Sequence, residues 1–257
     1  MSPVDSSSGF RHFHDQLTTL KQRLLDMSAR SEELVDLAVD ALLTRDEDKA
    51  EAVIEADHEV DALEIEVESL AVELLALQQP MARDLRFIIS AIKVSSDLER
   101  VGDHAVNIAQ SALRLIALRS SIVADPEIED MARRVRRMLS DALDAFIRAD
   151  GALGRAVCKA DDAVDALHNS HFRILLTHMM ADARTINPSL ELLLVSRNLE
   201  RVADLATNIG EDAVYLAEGK QIKHRVEMDE NAAVASAAVE IAAVASAAVE
   251  SAAVESA

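Results

Sequence analysis

Hydrophobic residues recur every three or four positions along the first 220 residues, which is the spacing of amphipathic α-helices. The first such segment covers residues 10 to about 43, and the last one ends near Gly219. Residues that favour helix starts and turns separate the segments. These residues are Asp46, Pro80, Asp125-Pro126, Asp150-Gly151 and Asn187-Pro188. The pattern therefore predicts six long helices.

The second half of the chain repeats the first. Residues 94–108 and 195–209 agree at ten of fifteen positions, and the shared letters include Leu-Glu-Arg-Val, Asp and Asn-Ile. Residues 57–63 and 161–167 also align, so a set of three helices occurs twice. Short connections make sequential helices antiparallel. We predict an all-α fold, a tandem repeat of two three-helix bundles formed by residues 10–120 and 121–220.

The two ends of the chain differ from this pattern. Residues 1–9 are small and polar, and we predict that they are disordered. Residues 221–257 form a low-complexity tail dominated by Ala, Val and Glu. The tail has little apolar surface to bury, so we predict a frayed or disordered appendage and assign it no function.

Composition narrows the classes of function. Only 2% of the residues are aromatic, and the formal net charge is -20, which disfavours nucleic acid as a partner and favours cations. The single cysteine, Cys158, excludes an intrachain disulfide and fits a reducing compartment. The sequence shows neither a signal-peptide pattern nor an apolar run of membrane-spanning length. These features predict a cytoplasmic protein without a transmembrane segment.

The repeated phrase places a Glu and an Asp four residues apart, as Glu99 with Asp103 and as Glu200 with Asp204. Residues four apart are neighbours on a helix, so each like-charge pair costs roughly 0.2–0.5 kcal/mol unless a cation compensates it. The adjacent arginines lie about 100° further around the helix. We therefore expect that Arg100 and Arg201 do not neutralise these pairs.

Helical hairpins would bring more carboxylates to the same places. If the second and third helices fold back at Pro80, Asp61 lies level with Glu99 and Asp57 lies level with Asp103. A fold near residues 182–183 does the same for the fifth and sixth helices. It places Asp165 level with Glu200, and Asp161 level with Asp204. Each hairpin is thus predicted to gather two carboxylates from each of its helices.

Four converging carboxylates are well explained by a bound cation. Oxygen ligands suit hard or borderline ions such as Mg, Mn, Ca or Fe, and Zn is possible where imidazole or carboxylate joins in. The predicted metal ligands are Asp57, Asp61, Glu99, Asp103, Asp161, Asp165, Glu200 and Asp204. His58, His104 and His168 lie beside them and are candidate outer ligands. The alternative is a solvated acidic surface with fluctuating ion pairs.

Motifs for enzymatic chemistry are missing from the sequence. It contains no Gly-rich phosphate loop, no Gly-x-Ser-x-Gly, no His-Glu-x-x-His and no Cys-x-x-Cys. The Glu-x-x-His signature of di-iron bundles is also absent, since Gly102 follows Glu99 and Ala203 follows Glu200 at that spacing. We predict a protein that is not an enzyme, and a metal-carboxylate enzyme or metal store remains the alternative.

The chain combines the segment Gln-Gln-Pro-Met-Ala-Arg-Asp-Leu-Arg, which ends at Arg86, with the doubled Leu-Glu-Arg-Val-x-Asp motif. Together these two features resemble the PhoU family of phosphate-uptake regulators. The resemblance covers about residues 10 to 220 and implies two side-by-side three-helix bundles. It also implies that some members bind multinuclear metal clusters through the acidic motif, which here falls on the same eight carboxylates.

The resemblance further implies a regulatory role and specific partners. Family members are expected to act in the cytoplasm as negative regulators of phosphate uptake and of the phosphate-starvation response. Their expected partners are the ATPase subunit of the phosphate ABC transporter and a sensor histidine kinase, which hold them peripherally at the inner membrane. A homodimer is also expected, and a nucleic-acid partner is not expected.

Overall fold

The computed structural model describes residues 6–78, 80–119 and 126–222. In these residues it contains helices and no strand. The six long helices are α1 (Ser6–Thr44), α2 (Glu47–Gln78), α3 (Ala82–Ala117), α4 (Pro126–Arg148), α5 (Gly151–Ala181) and α6 (Ile186–Glu218). A single turn of 3-10 helix, Ala183–Thr185, joins α5 to α6. The predicted all-α fold of six helices is confirmed.

The two chain ends can be placed only in part. Helix α1 begins at Ser6, inside the segment 1–9 that was predicted to be disordered, while residues 1–5 lie outside the described residues. The six helices lie in one compact unit. Nearly all of residues 221–257, and with them the prediction for the tail, also lie outside the described residues.

Capping aspartates start two helices at the predicted positions. Asp46 Oδ1 accepts a hydrogen bond from the Lys49 amide at 3.1 Å. Asp150 Oδ1 accepts from the amides of Ala152 and Leu153, each at 3.0 Å. These amides lack a partner within the helix, so the aspartates satisfy donors that the first turn leaves open. The same device therefore begins the middle helix of each repeat.

The repeats pack as two bundles that share one core. Helices α1, α2 and α3 contact one another, as do α4, α5 and α6, while α3 packs on α6 and α1 packs on α4. The buried apolar side chains form one continuous cluster that includes Ile88 of α3, Phe146 of α4 and Leu199 of α6. The predicted tandem repeat is thus observed, and the domain boundaries 10–120 and 121–220 stay predictions.

Polar contacts cross the junction between α3 and α6. Arg114 Nε lies 2.8 Å from Glu191 Oε2, and His104 Nδ1 lies 2.9 Å from Asn198 Oδ1. The residue numbers rise along one helix as they fall along the other, so the two helices are antiparallel. Both helices that carry the Leu-Glu-Arg-Val motif therefore also join the repeats. None of the helices in the described ranges is long and apolar enough to cross a membrane.

Helices α5 and α6 approach each other very closely. A Cβ atom added to Gly154 would lie 2.5 Å from the Gly210 carbonyl oxygen, which is too short for any real contact. Buried alanines, Ala50 and Ala109, occupy the corresponding positions of α2 and α3. Backbone-to-backbone contact therefore distinguishes the second hairpin from the first.

Candidate functional site

The first carboxylate cluster forms where α2 and α3 run side by side. Burial is the main cause of the raised pKa of Asp57, and the charges of Asp61 and Asp103 raise this pKa further. Asp57 also lies against the backbone of α3, since a Cβ atom on Gly102 would be only 2.7 Å from Asp57 Oδ1. Gly102 therefore provides the space that lets an α2 carboxylate reach α3.

Glu99 is the most perturbed member of the first cluster. Burial, followed by the charges of Asp103, Glu64, Asp61 and Asp57, raises its pKa to about 7. A carboxyl group with this pKa is about half protonated at neutral pH. The cluster therefore holds more negative charge than its surroundings compensate.

Glu64 is a fifth carboxylate that the sequence analysis did not assign. It contributes to the raised pKa of Glu99, and its own pKa is raised mainly by burial. Its side chain forms a hydrogen bond with Ser96 of α3. The sequence could have identified Glu64, because the fold at Pro80 places it level with Ser96 of α3, one helical turn beyond Asp61.

The second cluster lies at the matching place on α5 and α6. Burial, then the charges of Asp165 and Asp204, raise the pKa of Asp161 to about 7, with smaller effects from Asp162 and Glu200. Asp161 Oδ1 is buried and has no hydrogen-bond partner. A buried carboxylate oxygen without a donor is costly, so this atom is a candidate ligand for a cation.

The two arginines that follow the motif glutamates behave differently. Arg201 Nη1 lies 2.7 Å from Asp204 Oδ2, and its Nε lies 3.7 Å from Glu200 Oε2. The expectation that Arg201 does not neutralise its pair is therefore wrong, because a long side chain can reach a residue three positions ahead. Arg100 Nη1 instead lies 3.5 Å from Asp97 Oδ1, on the turn before Glu99.

The three histidines beside the clusters each use one ring nitrogen within the protein. His168 Nδ1 lies 3.0 Å from Ser196 Oγ, and His58 Nδ1 contacts the Glu55 carbonyl oxygen of its own helix. His104 Nδ1 contacts Asn198 across the junction of the repeats. A role for these rings as outer metal ligands stays a prediction.

The eight side chains fit a hard cation by their chemistry. They offer only carboxylate oxygens, and one buried oxygen lacks a donor. Burial and the neighbouring carboxylates raise the pKa of four of them, which are Asp57, Glu99, Asp161 and Asp165. Within the described ranges, no three or more His, Cys, Asp or Glu side chains are drawn together tightly enough to hold a metal ion. The structure thus brings the two carboxylate pairs of each hairpin into electrostatic contact, and their assignment as metal ligands stays a prediction.

Comparison with protein families accounts for the repeated architecture. Residues 24–112 and 128–213 each match the family model described as PhoU domain. The chain belongs to the PhoU family. Each match falls within one set of three helices, so the internal duplication is a duplication of the PhoU domain, and the resemblance stated from the sequence is confirmed.

Similar proteins from other bacteria align with nearly the whole helical part of the chain. A phosphate-specific transport system accessory protein PhoU homolog of Clostridium acetobutylicum is 37% identical over 211 residues, covering 82% of this chain and 96% of that protein. A protein of the same name from Caulobacter vibrioides is 39% identical over 212 residues, covering 82% and 92%. Because the PhoU family consists of accessory proteins, the prediction that this chain is not an enzyme is confirmed.

Solved PhoU structures have the same arrangement of helices. PhoU from Pseudomonas aeruginosa aligns with a TM-score of 0.78 at 37% identity, covering 81% of this chain and 100% of that one. The phosphate transport system regulatory protein PhoU from Streptococcus pneumoniae aligns with a TM-score of 0.75 at 31% identity, covering 81% and 98%. The tandem three-helix fold is therefore that of known PhoU proteins.

Proposed function

We propose that this PhoU-family protein is a non-enzymatic negative regulator of phosphate uptake and phosphate-starvation signalling. In this proposal it acts in the cytoplasm as an adaptor between the ATPase subunit of the phosphate ABC transporter and a sensor histidine kinase. It reaches the inner membrane only through these partners, and it forms a homodimer. The membership in a family of phosphate transport accessory proteins, shown by matches to both repeats, is the observation that carries the proposal.

The charge of the chain supports protein partners over nucleic acid. With 46 acidic and 26 basic residues, the surface repels phosphate backbones. An adaptor also needs a rigid body with two separate faces, and the shared core of two bundles provides such a body.

The second part of the proposal is that each carboxylate cluster binds a divalent or trivalent metal ion, with Fe, Zn, Mn or Mg as candidates. The proposed ligands of the first site are Asp57, Asp61, Glu99 and Asp103, and those of the second are Asp161, Asp165, Glu200 and Asp204. A bound cation would supply the positive charge that offsets the repulsion among the carboxylates. The ligands of each site come from two helices, so occupancy would fasten α2 to α3 and α5 to α6.

The adaptor role is tested in cells with ample and with limiting phosphate. Affinity capture of the tagged full chain is expected to retain the transporter ATPase and the kinase, with more kinase retained when phosphate is ample. Deletion of the gene is expected to switch on a starvation-response reporter in ample phosphate, and the intact gene supplied in trans should restore silence. A reporter that stays silent after deletion, together with capture of neither partner, would contradict the adaptor role.

A further inference from the structure

A cavity of about 290 Å³ lies where α1, α3, α4 and α6 meet, away from both carboxylate clusters. Buried apolar side chains of Leu17, Phe87 and Leu216 form part of its wall. Its polar wall includes Lys21 from α1 and the first turn of α3. Small-molecule sites begin at about 300 Å³, so this cavity suits a small ligand.

Two cations, Lys21 and Arg83, line this cavity. Lys21 Nζ lies 5.2 Å from the centre of the Phe87 ring, which is a cation–π contact. Within residues 6–78, 80–119 and 126–222, neither Lys21 nor Arg83 forms an ion pair with a carboxylate. In a chain with 20 more acidic than basic residues, two such cations facing one cavity indicate a site for an anion.

A third cation lies one turn further along α3. The Arg86 guanidinium is close to Gly219, since a Cβ atom there would be 3.9 Å from Arg86 Cζ, and Arg86 Nε is buried without a hydrogen-bond partner. Arg83 and Arg86 belong to the Gln-Gln-Pro-Met-Ala-Arg-Asp-Leu-Arg segment. The proposed adaptor and metal functions assign no role to either arginine.

Two further features set the charge of the cavity. Helix α3 begins without a side-chain cap, so the amides of its first turn accept no side-chain hydrogen bond from its N-cap residue and stay available to a ligand. Asp84, in the same turn, also lines the cavity and opposes an anion. Among the residues that line the cavity, the cations Lys21 and Arg83 outweigh the carboxylate of Asp84.

We propose that this cavity binds a small phosphate-type oxyanion, either free inorganic phosphate or a phosphate monoester. An oxyanion with several charged oxygens can bond to an ammonium and a guanidinium group at once, and such charge-assisted bonds are the stronger ones in proteins. The apolar wall leaves room for the organic part of a monoester. The site is independent of the metal clusters, and only the choice of phosphate among oxyanions rests on the proposed function.

Calorimetric titration of the purified full chain tests the site. Potassium phosphate and glycerol 3-phosphate are titrated separately at constant pH and at an ionic strength held constant with chloride. The wild-type chain is expected to bind at least one of them, and the better one identifies a free or an esterified ligand. Lys21→Ala with Arg83→Ala should weaken this binding at least about tenfold, because both charge-assisted contacts are lost.

Two further variants separate a defined site from general electrostatics. Lys159→Ala with Arg173→Ala removes one exposed lysine and one exposed arginine elsewhere, so binding should stay as in the wild type. Asp84→Asn removes the opposing carboxylate and should tighten binding severalfold. If the Ala pair at the cavity fails to fold by circular dichroism, Lys21→Gln with Arg83→Gln takes its place.

Three results would overturn the site. They are no binding of either ligand by the wild type, unchanged binding after the change at Lys21 and Arg83, and an equal loss in the Lys159 and Arg173 variant. The titration contains no partner protein, so its failure would leave the capture experiment on the adaptor role unaffected.

Discussion

The two carboxylate clusters are built from the same motif but differ in how the protein compensates their charge. In the second cluster Arg201 lies 2.7 Å from Asp204 and also approaches Glu200. In the first cluster the equivalent Arg100 lies beside Asp97 instead, and Glu64 adds a fifth carboxylate. A duplicated motif therefore gives two sites of unequal electrostatics.

The residues that surround the motif also differ between the two repeats. Gly102 lets Asp57 reach the backbone of α3, whereas the corresponding residue of α6 is the buried Ala203. His168 stands where the first repeat has Glu64. Each cluster has a fifth carboxylate nearby, Glu64 in the first and Asp162 in the second. The arginine after the motif glutamate lies beside the motif carboxylates only in the second cluster. We expect the first cluster to bind metal more tightly.

The largest effect is expected from the closer packing of the second hairpin. Gly154→Ala places a methyl group against the Gly210 carbonyl oxygen, so the backbones of α5 and α6 must move apart. Overpacking of this kind costs about 3 kcal/mol in the free energy of unfolding, which urea denaturation measures. The matched change in the first hairpin, Ala50→Gly, should cost about 1 kcal/mol through helix propensity. A Gly154→Ala variant as stable as the wild type would show that the helices are not in backbone contact.

A second comparison concerns pH in the metal-free protein. The pKa of Glu99 rises from 4.5 to about 7 and that of Asp161 from 3.8 to about 7, so folding favours their protonated forms. This contribution to the stability of the folded state is complete when the pH is below the ordinary pKa values of these groups. It is lost as the pH rises through about 7, the pKa in the folded state. Glu99→Gln and Asp161→Asn keep these groups neutral. At pH 8 the free energy of unfolding of each variant should therefore be about 1 kcal/mol higher than that of the wild type.

The measurement for this prediction is urea denaturation in the presence of a chelator. The advantage of each variant should shrink toward pH 5, where the wild-type groups are protonated as well. The exposed Glu51→Gln serves as the control for removing one negative charge. An advantage that is the same at pH 5 and pH 8 would show that titration of these carboxyl groups is not its cause.

The smallest effect is expected from the arginine that separates the clusters. Arg201→Gln frees Asp204 and Glu200 from a competing cation, so the second cluster should bind Mn²⁺ more tightly. An exposed ion pair is worth up to about 1 kcal/mol, which corresponds to up to about fivefold in affinity. Titration of Mn²⁺ checks this, with Arg100→Gln as the matched control. A loss of affinity in the Arg201 variant would mean that this arginine supports the site.

Sequence reasoning captured the features that depend on helical geometry. The recurrence of apolar residues gave the six helices, and Asp46 and Asp150 marked two helix starts because capping is local. The fold at Pro80 placed Asp57 beside Asp103, because antiparallel helices have a simple register. Such features need only the period of the helix and the position of the turn.

The features that could not be predicted from the sequence depend on side-chain conformation and on packing between the repeats. The side chain of Arg201 can point toward Asp204 or away from it, and its neighbours in space decide which. The packing of α3 on α6 and the cavity beside Lys21 require the relative placement of two bundles. The helical period of one repeat carries no information on that placement.

Metal content is the most direct test of the account that two unequal carboxylate clusters bind cations. Elemental analysis of gently purified protein should find metal in the wild type. Glu99→Ala with Asp103→Ala should remove the larger share, and Glu200→Ala with Asp204→Ala the smaller share. The exposed pair Glu51→Ala with Glu55→Ala removes the same charge elsewhere and should change nothing. Metal content that stays at the wild-type level in both cluster variants, with helicity intact, would contradict the account.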